Sequence, residues 1–156
     1  MLNKEQLETI EKETRHLLEK LGTPGDVQVE QIKDSEEPTV QVGLKVEEPK
    51  MLIGEGGQTL FDIQHILKLM IRKKIAEPFY LSLDINEYKK TKEDYLRDLA
   101  QTTADEVILL KKPKELPSMP ASERRVIHMA LADRSDIDSA SIGEGLDRRV
   151  VIQPKP

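Results

Sequence analysis

The chain has 156 residues with 24 Lys plus Arg against 29 Asp plus Glu, and its net charge of −5 and pI near 5.3 argue against a uniformly basic nucleic-acid coat. At 37% hydrophobic and 34% charged it is too apolar for a disordered chain and too polar for a membrane protein; no apolar run approaches the roughly 18 residues a span requires. The absence of cysteine excludes disulfides, thiolate catalysis and Cys-ligated metals, and His16, His65 and His128 are too dispersed to suggest a metal site, so no cofactor is expected.

From Asn3 to Leu21, Leu7, Ile10, Leu17, Leu18 and Leu21 fall at helical spacing, with Thr14 filling the gap, which predicts an amphipathic helix. The first fifteen residues alternate charge with single apolar residues and hold no apolar h-region, so no secretory signal is expected and the expected location is cytoplasmic. Residues 1–37 carry five basic and ten acidic side chains, whereas the remainder holds 19 of each. The acidity therefore belongs to the first segment. Charges further apart than the screening length of about 8 Å count for little, so local basic clusters decide what a phosphate meets.

Gly22, Pro24 and Gly25 stop the first helix, and Val27–Ile32 and Thr39–Val46 read as a β-hairpin joined by a polar turn at Lys33–Pro38. The segment from Pro49 to Lys74 begins as a short apolar turn and passes through three glycines. It continues as a helix with Leu60, Ile63, Leu67, Met70 and Ile71 on one face and Ile66 and Leu69 widening it. After Pro78 the alternation of Phe79, Leu81, Leu83 and Ile85 with polar neighbours predicts a strand. A further helix starts near Glu87, with Leu96, Leu99, Ala100, Thr103, Val107 and Leu110 on its buried face. Pro113, Pro117 and Pro120 then impose a loop over residues 111–120. A helix from about Pro120 to Leu131 and a hairpin of Ile137–Ile142 and Arg149–Gln153 close the chain.

The 36 residues after the Pro-rich loop fall below the roughly 40 that usually fold alone, so the helix from Glu87 is assigned to the C-terminal unit. The expected fold is α+β with two small domains, residues 1–86 and 87–156. Domains this small bury only about 60% of their unfolded surface, so packing between them, a homodimer or a protein partner would add stability.

The tetrad Gly54-Glu55-Gly56-Gly57 joins a short helix to a long one. Glycines let the backbone approach a ligand closely, and the N–H groups at the start of the second helix favour an anion. With Ile53 before it, Gln58-Thr59-Leu60 after it and the order α-β-β-α-α-β around it, this segment resembles the KH domain of the prokaryotic type (type II). The resemblance implies a GxxG loop that clamps single-stranded nucleic acid against an aliphatic groove. Such a groove suits a chain with five aromatic residues and no Trp. A P-loop is excluded, because "GEGGQTL" lacks the Gly-Lys-Ser/Thr ending. The expected contacts are Lys50, Ile53, Gly54, Glu55, Gly56, Gly57 and Gln58, with Arg72, Lys73 and Lys74 at the far end of the helix. Glu55 opposes a phosphate by about 1 kcal/mol at close range in water. For the basic run, the alternative reading is complementation of the helix dipole.

In "MPASERRVIHMAL", Arg124 and His128 sit four apart on one helix face while Arg125 points elsewhere. An Arg above an imidazole can bracket a phosphate, and Arg148 and Arg149 add basic density. Glu123, Arg124, Arg125, His128, Ser141, Gly143, Glu144, Arg148 and Arg149 fall in a pattern that resembles the single-strand-binding domain named for its Arg-x-x-x-His signature. Pro120 replaces the N-cap that would complete a capping box with Glu123, leaving Ser118 as the candidate cap.

A KH domain followed by a helix-helix-β-hairpin domain of this kind resembles the bacterial Jag family of sporulation-associated RNA-binding proteins. Family members often carry a further small N-terminal domain, which is not expected here. The resemblance implies non-catalytic binding of single-stranded RNA, with single-stranded DNA as a second ligand and no membrane partner. Base preference should be modest, because most of the named contacts go to the backbone. The rival expectation is a protein-interaction adaptor with a degenerate RNA-binding surface, docking through the acidic first helix. An enzyme is not expected, since no nucleophile motif accompanies His128.

Overall fold

Asn3 opens the first helix, α1 (Lys4–Lys20), with a capping box: the Gln6 N–H donates to Asn3 Oδ1 (2.9 Å) and the Asn3 N–H to Gln6 Oε1 (2.8 Å). The structure, a computed structural model, describes residues 1–33 and 37–156. Positions 34–36 of the predicted turn at Lys33–Pro38 lie outside the described residues. Two compact units emerge, Met1–Lys89 and Lys90–Pro156.

The first unit continues with β1 (Gly25–Ile32), β2 (Thr39–Val46), α2 (Lys50–Ile53), a 3-10 turn at Glu55–Gly57, α3 (Gln58–Arg72) and β3 (Tyr80–Ile85). β2 is the central strand, antiparallel to β1 and parallel to β3. Its residues Val40, Val42, Leu44 and Val46 alternate inward beside Leu81, Leu83 and Ile85, and they meet Ile10, Leu18, Leu60, Leu67 and Ile71 from α1 and α3. The period of two on the strands and of three to four on α3 therefore meet in one apolar layer.

Two side chains finish the sheet. The Leu83 N–H donates to Gln64 Oε1 of α3 (2.8 Å), which covers an amide of the edge strand β3. Asn86, in a left-handed conformation (φ 50), accepts from the Val46 N–H (2.9 Å) and donates to the Val46 carbonyl (2.8 Å). It thus extends the β2–β3 pairing by one side-chain rung.

In the second unit α4 (Tyr88–Leu110), whose first turn contains the division between units, is followed by β4 (Lys114–Glu115), α5 (Ala121–Leu131), β5 (Ile137–Ile142), a 3-10 turn at Gly145–Asp147 and β6 (Arg149–Pro154). The sheet order is β4-β6-β5, antiparallel throughout. Leu96, Ala100, Ala104 and Val107 of α4 pack with Ile127 and Leu131 of α5 and with Ile137, Val150 and Ile152 of the sheet. Arg134, in the turn after α5, donates to Asp105 on α4 (2.6 Å) and to Asp136 (2.7 Å), fastening that turn to α4.

Four expectations need correction. Ile66 and Leu69 do not widen the buried face of α3: each is 48% exposed, because Leu60, Ile63, Leu67 and Ile71 already fill the stripe that meets the sheet. Leu21 and Leu110, at the last turns of their helices, are exposed for the same reason of limited overlap with the core. The Pro-rich segment is not wholly loop, since Lys114 and Glu115 between Pro113 and Pro117 pair with β6 and make the C-terminal hairpin a three-stranded sheet. Ser118 does not cap α5; Pro120 occupies the N-cap with no side-chain hydrogen bond.

Candidate nucleic-acid interface

In the first unit the glycine tetrad makes a sharp passage from α2 into α3. Gly54 adopts φ 72 and ψ −179, and a Cβ there would lie 2.1 Å from Thr59 Oγ1 and 2.9 Å from the Thr59 backbone nitrogen. The loop therefore runs directly against the first turn of α3, and only glycine fits. Gly57, left-handed at φ 83, leaves a Cβ position 3.0 Å from the Tyr88 ring. Glu55 and Gly56 stand exposed at the tip, with Lys50 exposed one short helix earlier. Ile53 is half-buried against the core, and Gln58 reaches Asp62 (3.0 Å). Met51 and Phe61 flank the loop as exposed apolar side chains, the latter 63% exposed. This is a surface that sequence periodicity alone would have turned inward.

Arg72 and Lys73 are exposed at the opposite end of α3. That helix has 15 residues, so they lie about 20 Å along its axis from the loop. The two groups do not converge. Arg72 lines a shallow groove of about 560 Å³ with Lys68, Ile75, Pro78 and Tyr80, where the Lys68 ammonium lies 5.8 Å from the Tyr80 ring centre. Lys74 pairs with Glu13 of α1 at 2.5 Å, and Glu13 is the buried charge that α1 presents to this partner. A cation compensating a buried carboxylate is costly to withdraw.

In the second unit Arg124 and His128 stack one turn apart on α5, both half-buried, while Arg125 on the next position is exposed. Arg124 Nε donates to the Met119 carbonyl (3.2 Å), and the Met119 N–H donates to the Arg148 carbonyl (3.2 Å), so one backbone residue links the two arginines. The Arg148 guanidinium donates to the Gly143 carbonyl (2.8 Å). Both nitrogens of His128 face hydroxyls of β5: Nδ1 lies 2.8 Å from Ser139 Oγ and Nε2 3.0 Å from Ser141 Oγ. Partial burial and the neighbouring Arg124 guanidinium lower the imidazole pKa from its ordinary value, so the ring is neutral at pH 7.

Arg149 is placed differently. Ser139 and Ser141 pair with Ile152 and Val150, whose side chains are fully buried beneath the helices, whereas Arg149 pairs with Ile142 on the alternate face. Its guanidinium holds the Asp147 carbonyl (3.0 Å) and approaches Glu115 (3.5 Å). The arginine pair is thus split across the sheet. Ser139 is absent from the sequence-level list of contacts. The available signal was its spacing of two from Ser141, which puts both hydroxyls on the face of buried Ile137.

Among the described residues no group of His, Asp and Glu is arranged to hold a metal, and no helix is long and apolar enough to cross a membrane. Comparison with known proteins shows that residues 94–154 match the family of domains named for the Arg-x-x-x-His signature. The chain is 31% identical over 141 residues, 89% of its length, to a Bacillus subtilis protein named RNA-binding protein KhpB. It is 32% identical over 130 residues, 83% of its length, to a protein of the same name from Clostridium symbiosum, and 24% identical over 127 residues to one from Streptococcus pneumoniae. It spans 66%, 58% and 39% of those three proteins, less than two thirds of each. The second unit is accordingly an Arg-x-x-x-His domain, carried by a chain similar over most of its own length to bacterial RNA-binding proteins.

Proposed function

We propose that this chain is a non-catalytic, cytoplasmic binder of single-stranded RNA of the Jag type, with a type II KH domain over residues 1–86 and an Arg-x-x-x-His domain over 87–156. The observation that carries the reading is the donor cluster of Arg124, His128, Ser139, Ser141 and Arg148 on one side of the second domain. It gathers guanidinium and hydroxyl donors that suit phosphate, in a chain whose relatives bear the name RNA-binding protein. The glycine loop supports the same reading. Its backbone is open at Glu55 and Gly56, begins a 15-residue helix and is flanked by exposed Met51 and Phe61, which offer bases an apolar surface.

Catalysis is disfavoured by the His128 geometry. Both ring nitrogens meet hydroxyls, so no carboxylate orients the ring as a general base requires. The adaptor reading draws on Glu55, whose exposed carboxylate opposes phosphate at the loop tip. Fluorescence anisotropy with labelled poly(U), single-stranded DNA and duplex RNA separates the two. The RNA-binding reading expects saturable binding to the single strands and weaker binding to the duplex; no detectable binding at low salt establishes the adaptor.

A further inference from the structure

A neutral imidazole has one N–H and one bare nitrogen, and in this fold each faces a serine hydroxyl. Whichever tautomer is present, one serine spends its hydrogen on the bare nitrogen. The other accepts from the ring N–H and keeps its own hydrogen for another partner. When the ring takes up a proton from solvent, both nitrogens become donors, both serine oxygens accept, and both hydroxyl hydrogens are released. Ser139 and Ser141 are half-buried, so the released hydrogens can be directed to a ligand at the surface.

We infer that Ser139 and Ser141 are the residues that deliver hydrogen bonds to a backbone phosphate at this site, and that His128 is a positioning residue that frees the second hydroxyl on protonation. The inference rests on the RNA-binding reading above and adds contacts and a proton linkage to it. A bound phosphate diester uses every donor offered to it, so it favours the protonated ring over the neutral one. RNA binding and proton uptake are therefore coupled. The charged groups around the ring are consistent with a titration governed by ligand. Arg124 on the same helix is the charge acting on it, Glu123 is paired with Lys92 of α4 (3.9 Å), and the β6 residues opposite the serines are Val150 and Ile152. Asp138 lies on the alternate face of β5, near Lys155 (3.5 Å).

The sign follows directly. In the free protein burial and Arg124 hold the ring neutral at pH 7. In the complex its pKa rises, so affinity for RNA increases as pH falls from about 7.5 to about 5.5.

The test uses the full chain and poly(U). Ring resonances of His128 are followed by NMR as a function of pH with and without saturating poly(U), with the exposed His16 and His65 as references. The expected result is an upward shift of the His128 titration midpoint on binding. A second arm compares Ser139→Ala/Ser141→Ala with wild type, expecting affinity about tenfold lower at low pH and a loss of the pH dependence. Thermal melting of that variant identifies any misfolding, and the wild-type NMR arm stands independently of it. An unmoved midpoint under saturating poly(U) overturns the proposal, as does wild-type affinity in a folded double-serine variant. If wild type itself fails to bind poly(U), the RNA-binding reading falls and takes this proposal with it. If wild type binds and Arg124→Ala weakens it while the serines and the midpoint are indifferent, the proposal alone fails.

Discussion

Gly54 is the residue on which the first unit's loop depends most directly. A methyl group there meets the Thr59 backbone nitrogen, which cannot move without unwinding the start of α3, and the φ of 72 is itself unfavourable for any other residue. Gly54→Ala should cost about 1–3 kcal/mol of stability, measured by urea denaturation. Gly56 has open space around its Cβ position, so Gly56→Ala should cost less, limited to the strain of its φ of 60. Glu55→Lys exchanges repulsion for attraction at the loop tip and should tighten poly(U) binding by up to about tenfold at low salt. An unchanged dissociation constant would mean that the loop does not touch phosphate. These residues were legible in the sequence because GxxG and Arg-x-x-x-His are local patterns whose spacing alone sets their relative positions. The serines were harder to assign: the His128–Ser139 and His128–Ser141 contacts join a helix to a strand, and the pairing is specified by packing and not by spacing. Lys74 was legible as a basic residue but its partner was not, since Glu13 lies 61 positions away.

Among the elements, the long periodic ones were readable and the short or capped ones were not. β2 and β3 follow strict alternation, and α3 follows its apolar stripe, because burial against one face imposes those periods. β4 has two residues, too few for any period, and owes its pairing to β6. Ile66 and Leu69 belong to the helical pattern by hydrophobicity yet face out, because a helix packed on one sheet buries only one stripe. Two joints between elements make separate predictions. Asn86→Ala removes both hydrogen bonds to Val46 and relaxes nothing in return, so the first unit should lose about 1–2 kcal/mol in chemical denaturation. In the second unit the Arg134 guanidinium lowers the Asp136 pKa through their hydrogen bond. A depressed carboxylate stabilises the fold above its unfolded value of about 3.9, and that contribution is lost as pH falls through the folded value. The second unit should therefore melt at progressively lower temperature below about pH 4, and Arg134→Ala should flatten that part of the profile.

At the scale of the whole molecule, the net charge of −5 raised the first objection to nucleic acid, and its distribution answers it. The acidic excess lies in residues 1–37, and the side chains of α1 bind one another and Lys74: Lys4 with Glu8, Arg15 with Glu11, and Glu13 with Lys74. Arg124 and Arg148 instead spend their bonds on backbone carbonyls, which leaves their positive charge uncancelled, and Arg125 has no ion-pair partner among the described residues. Acidity thus weakens long-range steering and leaves the local donor cluster intact. The central claim is that this cluster holds RNA phosphate. Its most direct test is the poly(U) dissociation constant of wild type and Arg124→Ala over a series of salt concentrations. The account predicts that affinity falls linearly with the logarithm of salt, and that Arg124→Ala weakens binding and reduces the slope by about 0.7, the value of one single-strand phosphate. A wild-type affinity independent of salt, or an Arg124→Ala line superimposed on the wild-type one, would contradict it.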